Sequence, residues 1–265
     1  MAKKVFLGVG HGGSDPGAVG YIKEADVNLA MAIACRDYLQ ANGVTVKMSR
    51  TKDENDTISE EIRECNAFNP DLAVDIHNNA GGGDGFEVYH YHKGGTSKTL
   101  AQNIETEVKK IGQNSRGLKT RLNSQGSDYY GFIRCIKAPS VICEGVFVDN
   151  AADAAQADTP TEQKAFGVAY AKGILKTLGI SDNGGGKKSD TAQPGNKEIA
   201  VNDIVTFTGG NVYVSSTAEK AKKTISKTST CKVTAINAKG AHPYHCISQD
   251  GKGVYGWTDK GSVRK

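Results

Sequence analysis

Two short apolar runs in this 265-residue chain each end in a histidine. The first, VFLGV (residues 5–9), runs into GHGGSDPG, so that His11 is flanked by Gly10, Gly12 and Gly13. The second, LAVDI (72–76), runs into His77 and continues as Asn-Asn-Ala. Apolar runs of this length read as buried strands, and ligand sites in open α/β sheets collect at the carboxyl ends of such strands. If the two strands are neighbours, both imidazoles stand at one rim, and the glycines keep the loop around His11 free of bulk. Glu24 follows, and a loop of about a dozen residues is long enough to fold it back beside His11. Two His and one Glu, with a fourth position left to water, make a hydrolytic zinc set.

A fourth residue fits that chemistry. Glu144 interrupts an apolar strand, SVICEGVF (140–147). An ionised carboxylate inside such a strand is costly unless it is paired or used. Two readings stand: a strand end where Glu144 reaches solvent, or a general base with a raised pKa beside an activated water.

The elements that must position these groups alternate. Strands are expected at 5–9, 44–48, 72–76, 85–91 and 141–148. Helices are expected after an Asp26 cap, with Val27, Ala30, Met31, Ala34 and Tyr38 at helical spacing, and at 57–68, 97–111 and 160–178. This pattern implies an α/β fold with an open, twisted, mostly parallel sheet flanked by helices on both faces. Residues 181–197, with Ala192 as their only apolar residue, read as a flexible linker. The expected domains are therefore 1–180 and 198–265. In the second, a hairpin over 204–214 and strands at 231–236 and 253–258 imply a small all-β, barrel-like domain.

Hydrophobic content of 38% suffices for a globular core, and no apolar run approaches the ~18 residues of a membrane span. No membrane insertion is expected, and the N-terminus shows no signal-peptide pattern. The six cysteines lie far apart without CxxC pairs, a pattern of reduced and mostly buried thiols. Residues 198–265 carry ten Lys/Arg against five Asp/Glu, whereas the rest of the chain is nearly balanced. A basic second domain points to an anionic surface as partner or to a plain solvated face.

Together, GHGGSDPG, the glutamate a dozen residues on, IHNNAGGGDGFEVY and VICEGVFVDN resemble the zinc-dependent type 3 N-acetylmuramoyl-L-alanine amidases in order and spacing. The likeness covers residues 3–180. It implies one Zn²⁺ held by His11, Glu24 and His77, with Glu144 as catalytic glutamate and bacterial peptidoglycan as substrate. It also implies that Asn79 and Ala80, with the loop 81–85, edge the substrate groove. The bond cut would join the lactyl group of N-acetylmuramic acid to L-alanine. Asp75 departs from the family, which more often has a small residue there; it is expected as a surface acid, with an imidazole-orienting role as the alternative. The second domain resembles Src-homology-3-like wall-binding barrels. There Lys220, Lys222, Lys223 and Lys227 would suit anionic wall polymers, and Tyr213, Tyr244, Tyr255 or Trp257 would stack on sugars. An amidase with such an anchor resembles a phage endolysin, waiting in the host cytoplasm until released and acting on the wall, not on nucleic acid. A bacterial autolysin, a zinc peptidase cutting within the stem peptide, and a non-enzymatic wall-binding protein are the alternatives.

Other constellations carry less. His90 and His92 share a strand pattern but lack a third ligand nearby. His242, His245, Cys246 and Cys231 have poor spacing for a structural zinc site. The glycine run 81–85 lacks the ending of a phosphate loop, and Cys143 reads as a packed thiol.

Overall fold

A computed structural model of the chain describes residues 2–184, 199–201, 203–237, 239–249 and 253–264. The chain divides into two compact units, Met1–Lys188 and Ser189–Lys265. Residues 185–197 of the expected linker lie outside the described residues.

The first unit runs β1 (Lys4–Val9), α1 (Glu24–Ala41), β2 (Thr45–Met48), α2 (Ile58–Phe68), β3 (Leu72–Asn79), β4 (Phe86–His90), α3 (Thr96–Lys110), β5 (Ser115–Lys119), α4 (Gly131–Cys135), β6 (Ser140–Phe147), α5 (Ala151–Ala154) and α6 (Pro160–Leu178). Its six-stranded sheet has the order β2-β1-β3-β6-β4-β5. Pairing is parallel except between β4 and β6.

Alternation along the strands sends side chains to two faces. Val5, Leu7, Val74, Ile76, Val141 and Cys143 pack under α1, α3 and α6. Phe6, Ala73 and Ile142 pack on the other face against Cys65 of α2 and Phe132 of α4. On the first face α1 and α6 approach so closely that a side chain at Gly167 would stand 2.3 Å from the Met31 carbonyl oxygen.

The helix ends follow local chemistry. Thr57 and Glu60 form a capping box at α2, and Thr159 and Glu162 another at α6, where Pro160 takes the first turn. The expected Asp26 cap is not formed. α1 starts earlier, with Lys23 as the flanking residue, and Asp26 sits in its first turn paired with Lys23 at 2.8 Å. Glu24 is thus the first residue of the helix, and the amides of Glu24 and Ala25 donate to the carbonyls of Ala18 and Pro16 in the loop before it. Three elements of this unit were not expected: β5, a polar edge strand, α4, barely more than one turn, and α5, a single turn.

The second unit is a seven-stranded antiparallel sheet of order β13-β7-β10-β11-β12-β8-β9. Its strands are β7 (Ile204–Phe207), β8 (Gly210–Tyr213), β9 (Lys223–Ile225), β10 (Ser229–Ile236), β11 (Tyr244–Ser248), β12 (Tyr255–Thr258) and β13 (Val263–Arg264). The expected hairpin over 204–214 is not one. β7 pairs with β10 and β13, and β8 pairs with β12 and β9. Gly209 and Gly210, both at positive φ, turn a corner between two parts of the sheet. Val263 of one edge strand and Ile225 of the other pack with Phe207, Val233 and Cys246 in a single core, which requires the sheet to roll upon itself.

Candidate metal centre

β1 and β3 are neighbours, so His11 and His77 emerge at one rim. His11 has φ 63°, a left-handed backbone uncommon outside glycine and often found at functional sites. Gly10 before it leaves space that His77 fills: a side chain there would place its Cβ 2.0 Å from the His77 ring. The bare loop therefore admits the second imidazole.

Glu24 completes the group. It is 4% exposed, with Oε1 3.1 Å from His77 Nδ1 and 3.3 Å from His11 Nε2. The Asn78 amide donates to the same oxygen at 3.2 Å, and the Ala18 amide donates to Oε2 at 2.9 Å. One ligand atom from each of the three residues lies within 4.8 Å of the other two, the one such group among the described residues. Tetrahedral coordination at ordinary N and O bond lengths needs donors about 3.3 Å apart, so the set fits a divalent ion with little rearrangement.

The far nitrogens are also engaged. His11 Nδ1 lies 2.8 Å from Asp15 Oδ2, and His77 Nε2 lies 3.4 Å from Asp75 Oδ2. Each ring thus has carboxylates on both sides. The hydrogen bond to Glu24 raises the His11 pKa, outweighing burial, and Asp15 adds to it. Burial would lower that of His77, but Asp75 and Glu24 carry it well above the ordinary value. Burial likewise works against the Glu24 carboxylate, yet its hydrogen bonds with both imidazoles hold its pKa well below the usual range. A metal ion would replace the protons between the three ligand atoms, leaving Asp15 and Asp75 to orient the rings.

Asp75 is therefore not the surface acid expected. It is 2% exposed. Residues 73, 75 and 77 share the face of β3 that α2 and α4 cover, so the position two before the ligand points inward. Its Oδ1 has no hydrogen-bond partner among the described residues.

A buried polar scaffold escaped the sequence reading. Asn28 Nδ2 donates to the Gly10 carbonyl at 2.9 Å, Asn78 Nδ2 donates to Asn28 Oδ1 at 2.7 Å, and the Val146 amide donates to Asn78 Oδ1 at 3.0 Å. Arg50, itself buried, donates to the carbonyls of Val9, Gly10 and Ala25. These links fix β1, α1, β3 and β6 where the ligands leave them. Asn28 was detectable as a polar break in the apolar stripe of α1; Arg50 gave no signal, since it follows a strand like any surface cation.

Glu144 sits in mid-strand, in register with His77 on one side and Glu87 on the other. It is half-buried and makes no side-chain hydrogen bond among the described residues. Burial pushes its pKa up to about 7; His77 opposes the rise, and Glu24, Asp75 and Glu87 add to it. The strand-end reading fails, because β6 continues to Phe147. Asn79 donates to Glu87 Oε2 at 3.3 Å, and Ala80 is exposed beside it. The loop after them is stapled. Asp149 accepts from the amides of Gly81 and Gly82, Asp153 accepts from Gly85 and Phe147, and Asn150 donates to Gly83.

The competing constellations do not converge on a metal. His92 lies beyond β4 and pairs with Asp128 at 2.8 Å, while His90 faces the Tyr91 carbonyl. His242 is held between Asp259 and the Ala218 carbonyl, His245 meets Thr234, and Cys231 and Cys246 pack in the β-domain core. Cys143 is fully buried, and burial pushes its thiol pKa well up.

Residues 5–176 match the N-acetylmuramoyl-L-alanine amidase family. The chain belongs to this family. It is 32% identical over 214 residues to the endolysin of Bacillus phage SPP1, with 76% of each chain covered. It is 31% identical over 185 residues to the amidase CwlM of Bacillus licheniformis, covering 68% of this chain and 70% of that one. Among solved structures, Cwp6 from Clostridium difficile superposes with a TM-score of 0.66 at 34% identity, over 67% of this chain and 30% of Cwp6. The catalytic domain of the amidase CwlV from Bacillus (Paenibacillus) polymyxa gives 0.61 at 26%, over 68% and 99%. The amidase match spans β1 to α6, the elements that carry His11, Glu24, His77 and Glu144, and leaves the second unit outside it.

Two outcomes follow for metal loading of this amidase. Because raised imidazole pKa values mean protons persist on the empty site at higher pH, affinity for Zn²⁺ should climb as pH rises and those protons leave. Calorimetry in buffers of different ionisation enthalpy should show proton release on binding, and a pH-independent isotherm without proton release would contradict the site. Asp75→Ala should weaken Zn²⁺ binding by roughly 10–100-fold; unchanged competition against a chromophoric chelator would remove Asp75 from the site.

Proposed function

We propose that the chain is a zinc-dependent N-acetylmuramoyl-L-alanine amidase that hydrolyses the bond between the lactyl group of N-acetylmuramic acid and L-alanine in peptidoglycan. The carrying observation is the convergence of His11, Glu24 and His77 with Glu144 one strand away in register. Zinc held by the three ligands would supply Lewis acidity to the scissile carbonyl and to the attacking water.

The chain's own groups do the rest. Asp15 and Asp75 hold the rings in the orientation that presents one nitrogen each. Glu144, with a pKa near neutrality when the site is empty, takes a proton from water and returns it to the departing amino group. Water adds across the amide, yielding a lactyl carboxylate and a free L-alanine amino terminus. Gly81 and Gly82, in open space beyond the exposed Ala80, would leave room at the groove edge for a branched, sugar-bearing substrate.

An endolysin role, with release from a host cytoplasm and action on the wall, is supported by likeness to the phage SPP1 endolysin over three-quarters of both chains. Wall binding by the second unit, organised as a Src-homology-3-like barrel, is supported by its exposed Lys220, Lys222, Lys223 and Lys227 and by the outward Tyr255.

The test is digestion of purified walls by the parent and by Glu144→Ala. The parent should release new L-alanine amino termini and leave glycan strands whole, as mass analysis would show. Glu144→Ala should keep stoichiometric zinc and lose activity by at least ~10²–10⁴-fold. Cleavage inside the stem peptide, or an active Glu144→Ala, would overturn the reading.

A further inference from the structure

The row that joins His77 to Glu144 does not stop there. Glu144 is in register with Glu87 of β4, and Glu87 with Gly117 of the edge strand β5. Between Phe86 and Glu87 the β4–β5 register shifts by one residue, and the extra residue on β5 is Arg116. Bulges of this kind re-aim a side chain. Arg116 Nε donates to Glu87 Oε1 at 2.5 Å, and its guanidinium stands 5.3 Å from the centre of the Phe147 ring. Glu87 is itself buried and further held by Asn79. The arginine side chain nevertheless remains 43% exposed.

One edge of the guanidinium is therefore committed to Glu87, and the aromatic ring steadies the group. Its two terminal nitrogens have no hydrogen-bond acceptor among the described residues. That edge is the fork that matches a carboxylate with two parallel bonds. Lys119, 3.9 Å from Glu87, adds a second cation. Two strand spacings separate His77 from Glu87, roughly 10 Å, a distance that an extended peptide covers in about three residues.

We propose that Arg116 binds a free carboxylate carried on the first three residues of the substrate's stem peptide, and so selects acidic over amidated stems. This rests on the amidase reading above. Were Arg116 only a counter-ion for Glu87, its replacement would slow all substrates alike.

The experiment compares an N-acetylmuramoyl tripeptide bearing free carboxyl groups with the same compound fully amidated, using the full-length zinc-loaded enzyme. The parent should prefer the acidic substrate by ~10-fold or more in kcat/KM, chiefly through KM. Arg116→Gln should bring the ratio close to one. Arg116→Lys, which keeps a cation beside Glu87 but not the fork, should retain only part of the preference and guards against a folding defect in the glutamine variant. A parent without preference, or an Arg116→Gln or Arg116→Lys enzyme with the full parental ratio, would overturn the proposal. A parent that hydrolyses neither compound would overturn the amidase reading on which it stands.

Discussion

A single carboxylate, Glu24, buried between two imidazoles, is the constraint around which the catalytic unit is arranged. Left alone in that position its charge would be expensive. Two histidines and two backbone amides offset the cost, and those donors come from three places in the chain. His11 comes from the exit of β1, His77 and Asn78 from β3, and Ala18 from the loop between. Any slip of β1 against β3 would pull the group apart, so the parallel register of the sheet and the polarity of the site specify one another.

The polar scaffold beneath the ligands serves the same end. Asn28 and Arg50 donate to the Gly10 carbonyl at the exit of β1, where the regular ladder ends, and Asn78 links Asn28 to the Val146 amide of β6. A rim stiffened in this way keeps donors near tetrahedral spacing before any ion arrives, which is how a site gains affinity without reorganising. Across the sheet the polar row continues through Glu144 and Glu87 to Arg116. In the proposed mechanism, acid–base chemistry occupies the interior strands and substrate selection falls to the edge.

Much of this was legible from residue order. Apolar runs ending in His11 and His77 announced two strand exits, and the charged residue within SVICEGVF announced Glu144, because hydrophobic strands leave polar exceptions conspicuous. What stayed hidden were polar groups turned inward. Asp75 looked like a surface acid because its neighbours on both sides are apolar and alternation alone does not say which face a helix covers. Arg50 and Arg116 look like any solvated cation until their partners from distant segments are in place. The glycines at 209 and 210 signalled a turn correctly, yet the pairing of β7 and β8 with other strands depended on contacts with β10 and β12 that lie far along the chain.

The most direct trial of the central claim is an anomalous-scattering map of zinc-soaked crystals at the metal's absorption edge. The account predicts one strong peak within bonding distance of His11 Nε2, His77 Nδ1 and a Glu24 carboxylate oxygen. A wall-lytic preparation whose zinc sits elsewhere, or binds to fewer than these three groups, would contradict it.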